Sequence, residues 1–334
     1  MFSYCPIKPT DFHISGLFLC LLFFWSSAGY TAPASPFLTR NESPFSLIYG
    51  IPLTSPARLL EQNKSQWISS LNISNTINVQ SGANDQLFID VETWHLNLIY
   101  DYGLHKNWML RLQIPVVAHS GGFLDSPIET YHQTFGLPKD LRPDFPRDQI
   151  AIQYSRDNVS LIDITSDEKS IGDISVQLAW QKQITNDMAI SYWGSIKLPT
   201  GDDKKLTGSG STDIALWSAM DYQIKDTRWL YGQAGLLITH NNQVLDLIHR
   251  NWAAFLSAGI KFQPWNPIEL KAQFEIHSAL FDTDIKFMKD VLQLTFGGTY
   301  IINEKHKIDI AVAEDIYPGT SPDVNFNLSW YINF

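Results

Sequence analysis

The sequence predicts an all-β fold, a transmembrane antiparallel β-barrel of about twelve strands with a long extracellular second loop. Three observations predict it. From Trp67 to the end of the chain apolar residues recur at every second position, the period of a strand with two unlike faces. Short turns and long polar connections alternate in strict order along the chain, the asymmetry of barrels that cross an outer membrane. Hydrophobic residues make up 44% and aromatic ones 13%, against only 17% charged, while the mean hydropathy stays slightly negative. A helical membrane protein would need apolar twenty-mers; a chain that is apolar at alternate positions does not.

The formal charge of −10 argues against nucleic acid, whose phosphates require basic patches. Cys5 and Cys20 both precede residue 21. The apolar run from Gly16 to Trp25 is too short to span a bilayer as a helix, and small residues at Ser26-Ser27-Ala28 and Ala32-Pro33-Ala34 follow it. Residues 1–34 therefore read as a secretory signal peptide cleaved between 28 and 34. The mature chain would then lack cysteine, and with it disulfides and thiol chemistry. Residues 35–65 bear prolines and show no period; they are expected as a periplasmic tail or a partial plug, the tail being the commoner fate of such termini.

Residues 66–334 form the expected barrel, with strands near 66–80, 87–104, 108–119, 171–184, 188–199, 213–224, 229–240, 252–263, 268–280, 291–302, 307–316 and 323–334. Each has the roughly 9–11 residues that a tilted strand needs to cross hydrocarbon. In the first, Trp67, Leu71, Ile73, Ile77 and Val79 share one face, and Gln66, Ser70, Asn72, Ser74, Thr76 and Asn78 the other. In the ninth, Ile268, Leu270, Ala272, Phe274, Ile276 and Leu280 are assigned to lipid, because a charge at mid-bilayer costs roughly 2–4 kcal/mol. In the second, Asp90 and Glu92 share the lipid-facing parity but precede the apolar stretch, so they are expected above the membrane. Outward aromatics such as Tyr100, Tyr102, Trp108, Trp180, Tyr222, Phe262 and Tyr300 gather near the short turns, as an interfacial girdle does. The short turns place both ends of the mature chain in the periplasm.

Parity sends His95, Asp101, Arg111, Lys197, Lys261, Glu269, Lys271, Gln273, Glu275 and His277 into the lumen. Asp101 should face Arg111 across one hairpin, and Lys261 should neighbour Glu269 or Lys271 across another. Mixed signs suit mutual neutralisation better than a selectivity ring. The second outer loop, residues 120–170, is longer than a bare pore needs. Ser126-Pro127-Ile128-Glu129 has the pattern of a helix start with Ser126 as cap, carrying a short helix to about Phe135. Residues 150–155 and 160–164 read as a hairpin. Tyr131, His132, Phe135 and Arg142 of this loop are the gating candidates. No spacing matches a metal or cofactor motif. His119-Ser120 is the only pairing suggestive of a lipid hydrolase, and neighbours in an extended strand point to opposite faces.

Ser43–Phe45 with Ile51–Leu53, the stretch IETYHQTFGLPKDLRPDFP at 128–146, and KLPTGDDKKLTGSGSTD at 197–213 resemble the bacterial outer-membrane family catalogued as domain of unknown function 3187. The resemblance runs from about Pro36 to Phe334. The last stretch is also similar to transporter-like barrels of phenol-degradation pathways. The terminal Phe334 resembles the signal read by the barrel-assembly machinery, which with outer-membrane lipid would be the chain's partner. The expected function is a gated or plugged conduit for small solutes; the alternatives are a non-conducting structural or surface-recognition barrel and, third, a lipid hydrolase.

Overall fold

Alternation fixes which face of each strand turns inward, and pairing to both neighbours fixes the closure. The computed structural model describes residues 35–127, 130, 146–240 and 242–334. It contains β1 (Ser65–Ser81), β2 (Asp85–His105), β3 (Trp108–Ser120), β4 (Ala151–Arg156), β5 (Val159–Ile164), β6 (Glu168–Ile171), β7 (Ser175–Gln183) and β8 (Met188–Lys197). The remainder are β9 (Asp213–Lys225), β10 (Arg228–Thr239), β11 (Trp252–Trp265), β12 (Ile268–His277), β13 (Val291–Ile301), β14 (His306–Asp315) and β15 (Val324–Asn333). All belong to one sheet in which β1 pairs with β15 and β2 with β3, so the wall closes on itself. Twelve strands make that closed antiparallel wall.

The other three stand at the end that bears the long loops. β2 outruns β3 by several residues, and β4 takes the pairing positions from Asp85 to Asp90. β5 folds back on β4 through Asp157 and Asn158, both at positive φ, as a two-residue type I′ turn requires. β6 continues the upper end of β3, from Val116 to His119. It is separated from β7 by a break at Gly172, whose N–H meets the Pro115 carbonyl at 2.8 Å. Proline cannot donate to the ladder, so the break falls where pairing is already interrupted.

Outward positions carry Leu270, Phe274 and Ile276 of β12, all exposed, and Tyr100, Trp108, Tyr222 and Tyr300 stand exposed at the short-turn rim. Inward positions are buried and mostly polar. One assignment changes. Leu280 lies beyond the end of β12 and is buried in the cluster at the long-loop end rather than facing lipid. Asp90 and Glu92 are buried at the long-loop end of β2: the Glu92 carboxylate accepts the backbone N–H groups of Phe123 and Leu124 at 3.1 and 2.9 Å, where the chain leaves β3. Asp125, Ser126, Pro127 and Thr130 are helical. That helix opens one residue before Ser126, so Ser126 is not its cap; its expected course to Phe135 falls outside the described residues, as do Tyr131, His132, Phe135 and Arg142.

Candidate functional site, a lumen filled by the N-terminal segment

Residues 35–60 fill the lumen, and 61–64 stand exposed at the rim before β1. They enter at the short-turn end and climb beside β12 with a constant offset. Lys271 Nζ donates to the Ser35 carbonyl at 2.9 Å. Gln273 takes the Phe37 N–H at 3.1 Å and gives its amide to the Phe37 carbonyl at 3.2 Å. Thr39 donates to Glu275 at 2.6 Å, and Asn41 meets His277 Nε2 at 3.0 Å. Each partner lies 236 positions further on. The leg is extended and two residues advance together on leg and wall, as strand geometry demands.

At the long-loop end the segment turns through a four-residue helix, α1 (Pro44–Leu47). Proline suits the first helical position, where an N–H would go unused. Arg40 closes the turn from inside: its guanidinium donates to the carbonyls of Leu47, Tyr49 and Ile51 at 2.9, 3.2 and 2.9 Å. The apex is apolar on its outer side. Phe45 meets Tyr154 of β4 and Phe281 edge-on at 6.5 and 6.3 Å, and Tyr49 meets Phe281 at 5.5 Å. The hairpin of the second loop thus lies over the apex. Burial and a hydrogen bond to Asp85 push the Tyr154 phenol up to about 12, so it remains a donor.

The descending leg returns along the neighbouring strands β8–β11. Gly50 N–H donates to Asp213 at 2.8 Å, and Lys197 Nζ to the Ile48 carbonyl at 2.9 Å. A Cβ on Gly50 would stand 3.1 Å from that of Asp213, a crowding that glycine avoids. Lower down, Thr54 donates to Ser257 at 3.0 Å, and Ser55 N–H to Gln233 at 2.9 Å. Arg58 Nε reaches Asp221 at 3.2 Å near the short turns, over the Trp229 ring. Hydrogen bonds to ionised groups are the stronger ones, and they sit at the top and the bottom of this leg.

The residues assigned inward are all buried, and most are paired. Arg111 binds Asp101 through two bonds of 2.7 Å. Lys261 meets Glu269 at 2.9 Å while its register partner Lys271 turns to Asp309 at 2.9 Å. Lys197 holds Asp173 and Asp213 at 2.6 and 3.2 Å. His95 Nδ1 meets Glu42 of the plug at 2.7 Å. His119 contacts Thr93 through Nδ1 and the Leu206 carbonyl through Nε2, and not Ser120. Sequence reasoning missed Arg40, Glu42, Asp173, Asp213 and Asp309. Asp213 and Asp309 lay open to the parity argument, Asp173 follows the strand break, and Arg40 and Glu42 stand in a segment without a period.

The two walls hold the plug differently. On β15, β1 and β2 the inward residues form rows set by register. Ile68 has Ile99 on one side and Tyr331 on the other, and plug residues Leu38 and Leu53 join them in one apolar cluster. Above this collar the rows are centred on Ser70, Asn72 and Ser74. Here β1 and β15 meet the plug by long contacts, 3.5 Å from Asn72 and Asn327 to the Leu38 carbonyl and 3.4 Å from Ser74 to that of Glu42, while on β2 His95 makes the short one to Glu42. Two cavities beside the plug measure about 30 Å³ each, room for little more than water. Outside the apex a polar vestibule of about 420 Å³ opens, lined by Asp85, Arg156, Arg250 and Asp290 and floored by Phe281.

The family described as protein of unknown function (DUF3187) matches residues 14–334. No curated protein matches the chain. Among solved structures, the COG4313 outer membrane channel from Pseudomonas putida F1 superposes with a TM-score of 0.57 at 8% identity, covering 83% of this chain and 98% of that one. That likeness shows the outer-membrane barrel fold. The NanC porin (TM-score 0.45, 7% identity, 81% and 98% covered) and the Ralstonia pickettii toluene transporter TbuX (0.40, 10%, 82% and 89%) are similar more loosely and carry no argument.

Proposed function

The chain belongs to the DUF3187 family, and from that footing we propose that it is an outer-membrane conduit for small solutes, closed at rest by its own N-terminal segment. The observation that carries this reading is the plug itself. A barrel used only as a scaffold can fill its lumen with wall side chains. Here the β15–β1 wall has short polar side chains above the Ile68–Tyr331 collar, and a separate hairpin of chain occupies the space they leave. Against that wall the hairpin is held by long hydrogen bonds, which exchange with water at small net cost. The short-turn end is the periplasmic one in this reading, so the plug is rooted in the periplasm. The second outer loop closes the opposite end through Tyr154.

The test locks the plug. Thr54 and Ser257 touch through their hydroxyls, a separation that suits a disulfide, and no cysteine follows Cys20. In planar bilayers the T54C/S257C variant should conduct when reduced and fall silent when oxidised. Silence under both conditions, with the parent silent too, would leave the structural-barrel reading as the better one.

A further inference from the structure

We infer that solutes pass between the plug and the β15–β1 wall, and that this wall selects uncharged, hydrogen-bonding solutes of polyol or amide type over ions. The inference rests on the conduit reading and adds to it a route and a substrate class.

The route follows from the contrast between the walls. Toward β8–β12 the plug's contacts are short and many are charge-assisted, and removing them would strand buried carboxylates and ammonium groups. Toward β15 and β1, above the apolar collar, the contacts are near the limit of a hydrogen bond. Opening a gap there strands the least, so displacement should begin there.

The class follows from what the gap would expose. Ser70 and Ser329, Asn72 and Asn327, and Ser74 and Asn325 stand side by side in three successive rows. All six are buried, and none is ionisable. They already bond one another: Ser329 to Ser70 at 2.8 Å, Asn327 to Asn72 at 3.0 Å, Asn325 to Asn72 at 3.2 Å. A ladder of paired hydroxyls and carboxamides offers donors and acceptors in alternation, which a polyol or an amide can accept in exchange. The six side chains offer an ion no opposite charge, and the neighbouring Glu42 carboxylate is already held by His95 at 2.7 Å. Along the ladder's upper half, Asn325 Oδ1, Thr76 Oγ1, Glu42 Oε1 and His95 Nε2 are buried without a hydrogen-bond partner among the described residues. Groups of that kind are costly unless something completes them, and a hydroxylated solute does so. Below, the collar of Ile68, Ile99 and Tyr331 is apolar, and a constriction of that kind turns away hydrated ions before neutral molecules.

Three five-carbon probes test this on the full-length protein in liposomes: xylitol, xylonate and 1,5-diaminopentane. Xylitol should enter about tenfold faster than either charged probe, the discrimination of roughly one net hydrogen bond. Asn327→Asp should bring the diamine up to or past xylitol, while the heat-modifiable gel mobility of a folded barrel is kept. If all three probes enter the parent at equal rates, the conduit stands and the ladder as selector falls. If none enters under conditions that free the plug, both fall. If Asn327→Asp does not fold, the parent's ratio decides alone, and a folded variant with unchanged ratios overturns the assignment.

Discussion

Arg40 donates to the carbonyl of Ile51 at 2.9 Å and so ties the ascending leg of the plug to the descending one. The same guanidinium holds Leu47 and Tyr49, so one side chain ties the end of the apex helix to both legs.

Arg40→Met should therefore loosen the plug without harming the barrel. Three carbonyls lose a charged donor, each worth roughly 1.5–3 kcal/mol. The expected outcome is a rise in open probability of tenfold or more in single-channel recordings, with barrel mobility in gels unchanged. Recordings indistinguishable from the parent would show that the apex holds without Arg40.

Facing and plugging separate at neighbouring positions of β12. Phe274→Arg places a charge against lipid and should cost the barrel about 2–4 kcal/mol. Gln273 points inward, where parity alone suggests a tolerant, wet interior; instead it bonds Phe37 and, at 3.2 Å, Thr54, one residue from each leg. Gln273→Arg should leave the wall folded and expel the plug, read as increased conductance and protease access to residues 35–60. Unfolding titrations in lipid that rank Gln273→Arg as the more damaging to the barrel would invert the faces.

The second loop should act through the apex. Replacing residues 123–167 by a short Gly/Ser linker removes Tyr154 from Phe45, and Tyr154→Ala removes that contact alone. Both should raise conductance, the deletion more. An inserted deletion variant with the parent's conductance would assign the loop to recognition at the cell surface.

Arg111→Leu should destabilise the barrel by about 3–5 kcal/mol, because Asp101 would be left buried and unpaired. The double variant Arg111→Leu, Asp101→Asn should recover most of that loss. Urea titrations in lipid check both, and a single variant as stable as the parent would mean that Asp101 finds another partner.

Parity made the barrel legible. A one-residue slip would exchange every face of a strand, so Asp101 and Arg111 could be placed inward and opposite one another, and Lys261 inward beside Glu269 or Lys271, from sequence alone. Leu280 escaped because parity holds only within a strand, and β12 ends at His277. The plug was hardest to see. A segment that borrows its hydrogen bonds from side chains 236 positions away needs no period of its own, and Arg40 and Glu42 look like any charges in a tail.

That distance also bears on biogenesis. Leaving the ribosome, the ascending leg precedes its partners on β12 by most of the chain. It must stay unpaired until a wall exists to receive it, although extended chain next to nascent strands is prone to join them. Pro36, Pro44, Pro52 and Pro56 punctuate the segment, and proline cannot donate to a ladder. The prolines that left the segment without a readable pattern are thus what bars it from becoming a thirteenth strand.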